Sequence, residues 1–177
     1  MPEERKGKEL TLQEVRVAAL LMDPVNHSPV VVLREASGSR ILPIWIGEAE
    51  AWAIAVEMQG VKRERPMTHD LLKVAIDSLK GRVSRIAVTS LIANTFYATI
   101  YIEQDGTIVS LDARPSDSIA LALRFKAPIF VSNTLLAPAG VMPVGEEMDF
   151  QPKEPSPEDI RTQIKEMSPE DFGKFQM

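Results

Sequence analysis

The chain contains no cysteine, which excludes a disulfide framework, thiolate metal centres and thiol nucleophiles together. No stretch approaches the roughly 18 uninterrupted apolar residues of a membrane-spanning helix. The opening "MPEERKGKEL" lacks the apolar core of a secretory signal. A soluble, cytoplasmic protein without a membrane partner is the expectation. Aromatic residues make up only 6%, so stacking surfaces must be few. The strong catalytic signatures are missing too: there is no phosphate-binding glycine loop, no paired-histidine zinc motif and no nucleophile elbow.

What is present is an ordinary globular composition, 45% hydrophobic and 25% charged over 177 residues, enough for one domain with an appendage. The net charge of −5 is unevenly distributed: residues 1–145 hold 16 acidic and 16 basic side chains, whereas 146–177 hold 9 acidic and 4 basic. The body is neutral, which leaves room for a local basic patch and a nucleic-acid partner. Three segments are expected: a flexible N-terminus (1–11), a globular domain (12–145) and an acidic, partly helical tail (146–177). In the tail, "SPEDIRTQIKEM" and "SPEDFGKF" both start with a capping serine, a proline and two acids, the order that suits a helix N-terminus.

Along the body, "LQEVRVAALLMD" and "SPVVVLREA" read as a strand pair joined by turn residues at Pro24, Asn26, His27 and Ser28. "ILPIWI" reads as an edge or irregular strand because of Pro43. "EAEAWAIAVEMQG" reads as a helix with acids in its first turn and Gly60 as its stop. "PMTHDLLKVAIDSLKG" reads as a half-buried helix with Thr68 as N-cap and a stripe of Leu71, Leu72, Ala75, Ile76 and Leu79. Three further strands, with a turn at Asp105 and Gly106, form a meander. They lead into "PSDSIALALRF", a helix apolar on most sides and so central, and a short strand "APIFVSN". The predicted fold class is α+β: one domain of mainly antiparallel strands packed against about three helices beginning near Glu48, Thr68 and Ser116. A shift of 67 positions superposes "IWIGEAEAWAIA" on "LDARPSDSIALA", aligning Glu50 with Asp117, Ala53 with Ala120 and Ala55 with Ala122, which suggests an internal strand-helix duplication. The apolar runs "VVVL" and "TFYATIYI", with Trp45, Ile46 and Trp52, exceed what three short helices cover. A homo-oligomer, most simply a dimer, is expected.

"RPMTHDLL", followed some forty residues later by "LDARPSDSIALALR" and "PIFV", and preceded by "LPIWIGEAEAWAIA", resembles the bifunctional nuclease domain family over about residues 12–137. The resemblance implies degradation of RNA and DNA. Phosphodiester hydrolysis with metal needs two or more carboxylates on Mg²⁺ or Mn²⁺, a water to deprotonate and a cation for the phosphate. Candidates are Asp117, Asp112, Asp70 and His69 as catalytic groups, Asp117, Asp112 and Glu50 as metal ligands, and Arg65, Arg114, Ser116 and Thr68 as phosphate contacts at helix starts. Each has a second reading. Ser116 and Asp117 suit helix caps, Glu48 and Glu50 complement a helix dipole, and Arg65 and Arg114 can pair with Asp70, Asp112 or Asp117 inside the fold. Lys62, Arg63 and Arg65 suit a solvated loop, and Trp45 and Trp52 suit core or interface positions. A non-catalytic, oligomeric phosphate- or nucleotide-binding scaffold is the alternative function.

Overall fold

The computed structural model describes residues 11–139 and a short strand at 146–147. In chain order the elements are β1 (Leu12–Met22), β2 (Pro29–Glu35), β3 (Arg40–Trp45), α1 (Glu48–Met58), α2 (Thr68–Ser78), β4 (Arg82–Ile92), β5 (Thr95–Gln104), β6 (Thr107–Ala113), α3 (Pro115–Phe125), β7 (Ile129–Ser132), a 3₁₀ turn (Asn133–Leu135), β8 (Ala137–Pro138) and β9 (Glu146–Glu147). The strands form one sheet in the order β6-β5-β4-β7-β1-β2-β3-β8, with β9 on the end of β1. The described pairings are antiparallel except β4 with β7, which is parallel. The architecture is α+β, as expected.

Local chemistry sets the turns. Asp105 and Gly106 both have positive φ (49° and 75°) between β5 and β6, and Ala93 and Asn94 repeat the device (47° and 60°) between β4 and β5; this backbone matches the twist of the hairpin strands it joins. Pro43 sits opposite Val32 on β3, beyond the two residues that β8 covers, so its missing N–H falls where the strand is a free edge. β9 pairs Glu146 and Glu147 with Met22 and Leu21, so the first two residues of the acidic tail join the sheet. Its two Ser-Pro-Glu-Asp segments lie outside the described residues.

Alternation explains the core. Val31 and Leu33 of β2 face one side of the sheet with Leu42, Ile44, Ile86, Val88, Ile129 and Val131, against α1 and α3. Val30 and Val32 face the other side with Leu21 and Ile41. The whole "VVVL" run is therefore buried and is not surplus surface for an oligomer; β2 is an interior strand covered on both faces. α3 is central, as its composition implies: Ile119, Ala120, Leu121 and Ala122 are all buried, and burying Ile119 or Leu121 contributes about 1.5–3 kcal/mol each. Ala51, Ala53 and Ala55 give α1 the shallow face that lets it pack on α3.

α2 departs from expectation. Ile76 is buried, but Leu71, Leu72 and Leu79 of its apolar stripe are exposed, as is Val74. Polar contacts at its first turn, described below, fasten α2 to α3, so burial of the stripe is not what holds it. Thr68 is not the N-cap either. Met67 takes that position, and the Asp70 carboxylate accepts the Met67 N–H at 2.9 Å. Likewise the cap of α3 is Arg114, held extended by the proline that follows it, with Ser116 and Asp117 inside the first turn. None of the helices among the described residues is long and apolar enough to cross a membrane.

Candidate functional site

Each helix carries an acid at its third residue: Glu50 in α1, Asp70 in α2 and Asp117 in α3. That position favours carboxylates because the first-turn N–H groups and the helix dipole point at it. Two arginines from α3 and its cap bind all three. Arg114 donates to Asp117 through Nε (2.7 Å) and Nη2 (3.2 Å), and its Nη1 pairs with Glu50 Oε1 at 2.8 Å. His69, the second residue of α2, brings Nε2 within 3.0 Å of Asp117 Oδ1. Contacts among Glu50, Arg114, Asp117 and His69 thus bring the starts of all three helices together.

Arg124 forms the second junction. Its side chain is 2% exposed; Nε donates to Asp70 Oδ1 at 2.6 Å, and Nη1 donates to the carbonyls of Ala53 (3.1 Å) and Ala120 (2.9 Å). Ala53 and Ala120 are the alanines aligned by the 67-residue shift, as Glu50 and Asp117 are the acids that Arg114 bridges. The shift therefore picks out positions with matching roles in α1 and α3. Nothing in the sequence reading assigned Arg124 a role, although a lone arginine inside "IALALRF" was the available signal: a charge in so apolar a helix requires a partner.

Electrostatics follow from these contacts. Burial raises the Asp117 carboxyl, but hydrogen bonds from Arg114 and His69 outweigh it and hold its pKa below the ordinary value. Asp70 behaves alike: burial is outweighed by the Met67 N–H and Arg124. Asp117, with Glu50 behind it, raises the Arg114 pKa. The Arg114 side chain is nonetheless 65% exposed.

Other expected residues stay outside this cluster. Asp112 is exposed on β6 opposite Thr99. Arg65 is exposed in the loop before α2, and no ion pair to it is found among the described residues. The two Arg-Pro motifs differ in phase: Pro115 is the first residue of α3, whereas Pro66 precedes the Met67 cap. Arg114 is thereby a cap that folds over its own helix, and Arg65 lies two residues ahead of one. Thr68 is exposed at the first residue of α2, Glu48 is exposed at the start of α1, and Ser116 is buried beside Arg114. Among the described residues no three His, Asp or Glu side chains gather as a metal-binding group. Arg114 stands between Glu50 and Asp117, so this arrangement does not fit a resident Mg²⁺ or Mn²⁺.

Trp45 is 48% exposed, and its Nε1 donates to Asp23 at 2.8 Å. Trp52 is half-buried under Arg63, whose guanidinium lies 3.9 Å from the ring centre. Neither is a core residue.

A model of the bifunctional nuclease domain matches residues 31–143. The chain is 43% identical to an uncharacterized protein of Mycobacterium tuberculosis (strain ATCC 25618 / H37Rv) over 136 residues, 77% of this chain and 80% of that one. It is 26% identical to Bifunctional nuclease 1 of Oryza sativa subsp. indica over 135 residues, 74% of this chain and 41% of the rice protein. It is 31% identical to Bifunctional nuclease 2 of Arabidopsis thaliana over 112 residues, 62% of this chain and 34% of that protein. The chain thus spans well under half of these plant relatives. With the family model running from β2 through α3 and β8, across both arginine junctions, the chain belongs to the bifunctional nuclease domain family.

Proposed function

We propose that the chain hydrolyses phosphodiester bonds of RNA and DNA where the three helices begin. The observation that carries the proposal is the contact chain His69–Asp117–Arg114–Glu50, with an exposed cation at its centre; the names of the plant relatives supply the substrate class. Arg114 binds a non-bridging phosphate oxygen through its planar donors. Asp117 accepts the Nε2 proton of His69 and so fixes the tautomer, leaving Nδ1 to take a proton from the attacking water. Glu50 holds Arg114 from the other side. With His69 neutral the cluster carries surplus negative charge, so phosphate binding is favoured by added positive charge. Hydrolysis is therefore measured both with and without Mg²⁺ or Mn²⁺.

The alternative, a phosphate- or nucleotide-binding protein without catalysis, is favoured by one observation: the carboxylates of the cluster are already engaged by arginine or histidine, as a structural network requires. Degradation of single-stranded RNA and DNA, with Mg²⁺, with Mn²⁺ and with chelator, separates the two. Hydrolysis lost in His69→Gln supports the nuclease; binding of phosphate without hydrolysis supports the scaffold. We also infer a homodimer. Leu71, Leu72, Val74 and Leu79 of α2, and Ile108, Val109 and Leu111 of the edge strand β6, are exposed. They supply the apolar surface that the buried "VVVL" run does not.

A further inference from the structure

A cleft of about 380 Å³ adjoins the candidate site, lined by Trp45, Phe96, Asn94, Gly47, Arg114 and Ser116 among others. Its size falls within the roughly 300–1,000 Å³ of small-molecule sites. Its walls combine three features a nucleotide requires. The Trp45 indole is exposed, yet its orientation is fixed: Nε1 donates to the Asp23 carboxylate, which is itself held by the N–H groups of Val25 (2.9 Å) and Asn26 (3.3 Å). Phe96 reaches the cleft while packing against the main core, so a second aromatic side chain is rigidly supported. Arg114 supplies the cation. At the same wall Ser116 is 6% exposed, and its hydroxyl has no hydrogen-bond partner among the described residues, which leaves a polar group available to a ligand.

We propose that this cleft holds an unpaired nucleobase of single-stranded RNA or DNA, stacked on Trp45 beside Phe96, while the attached phosphate sits on Arg114. The inference rests on the phosphodiester reading of the neighbouring cluster and specifies its substrate. A duplex keeps its bases inside the stack, so only an extruded or single-stranded base enters. Stacking uses the π-face common to ribo- and deoxyribonucleotides and tolerates any base, so one cleft accepts both polymers. Asp23 is a positioning residue: it contacts Trp45 and holds the ring in the wall.

The test uses the full chain with Trp52→Phe, which leaves Trp45 as the single indole. Titration in chelator with AMP and dAMP is expected to quench its fluorescence saturably, whereas ribose 5-phosphate and inorganic phosphate leave it unchanged. Trp45→Leu is expected to weaken binding of a single-stranded hexanucleotide about tenfold. Trp45→Phe, which keeps a ring, recovers most of that loss. Ribose 5-phosphate binding as tightly as AMP, or an unchanged hexanucleotide affinity in Trp45→Leu, overturns the cleft as a base site. Hydrolysis with an unaltered KM in Trp45→Leu overturns the cleft and leaves the nuclease reading standing. Quenching by AMP without hydrolysis of any polymer supports the cleft and overturns only the nuclease reading.

Discussion

Replacing either partner of the Asp70–Arg124 pair, which meet at 2.6 Å, removes the same ion pair, but the two replacements are not equivalent. The Arg124 side chain is 2% exposed and the Asp70 side chain 32%. In Asp70→Asn the guanidinium stays where it is, held by the carbonyls of Ala53 and Ala120, now as a buried charge without a counter-ion. Breaking a buried pair this way costs about 3–5 kcal/mol; the partial exposure of Asp70 places the loss near the bottom of that range, about 3 kcal/mol. In Arg124→Met the buried charge disappears, a flexible apolar chain fills much of the space, and the remaining carboxylate is rehydrated. Both carbonyls keep their own helical hydrogen bonds, so the loss is about 1–2 kcal/mol. At about 2–4 °C per kcal/mol for a chain of this size, the melting temperature falls by about 6–12 °C in Asp70→Asn and about 2–8 °C in Arg124→Met. The double variant should lose less than the sum. Calorimetry of the four proteins decides: an Arg124→Met loss equal to or larger than that of Asp70→Asn refutes the argument that the buried arginine charge dominates.

Three further outcomes are expected. Hydrogen bonds from Trp45 and Val25 draw the Asp23 carboxyl from 3.8 to about 2, and those from Arg40, Ser39 and Ser37 draw Glu35 from 4.5 to about 2. Folded-state values below the unfolded ones mean that this stabilisation is full above about pH 5 and is lost as pH falls toward 2; acid titration followed by circular dichroism should show the steepest loss in that window. Lys126 ends α3 at φ 52°, where a side chain is strained, so Lys126→Gly should raise stability by up to about 1 kcal/mol in urea melts. Light scattering at micromolar concentration should give twice the monomer mass, and Leu72→Glu with Leu79→Glu should return the monomer; a monomeric parent contradicts the proposed dimer.

Much of this was legible along the chain because its determinants are local. Acids in first helical turns, apolar stripes and the Asp105–Gly106 turn announced three helices and the β4–β5–β6 meander. The 67-residue shift aligned Glu50 with Asp117, the two acids that Arg114 bridges. The unread features are long-range. β7 enters between β4 and β1 as the parallel neighbour of β4, and no periodicity encodes strand order. β2 lies between β1 and β3 with its side chains buried on both faces, so "VVVL" is fully covered. The exposure of α2 was hidden by a stripe that resembles a buried one, since the sequence does not show that His69–Asp117 and Asp70–Arg124 anchor the helix instead. Trp45 suited a core or interface position by sequence; it is 48% exposed, with its indole fastened to Asp23, 22 positions away.

A catalytic role for the cluster at the helix starts is tested by Asp117→Asn, measured for activity and stability together. Degradation of single-stranded RNA and DNA should fall at least about 100-fold, because the proposed proton-transferring His69 loses its carboxylate. Stability should fall by only about 1 kcal/mol, since the ion pair with Arg114 is largely solvent-screened. Parent and variant purified in parallel control for contaminating nuclease, and each is assayed with Mg²⁺, with Mn²⁺ and with chelator. Equal degradation by both proteins, or none by the parent under any of these conditions, contradicts it.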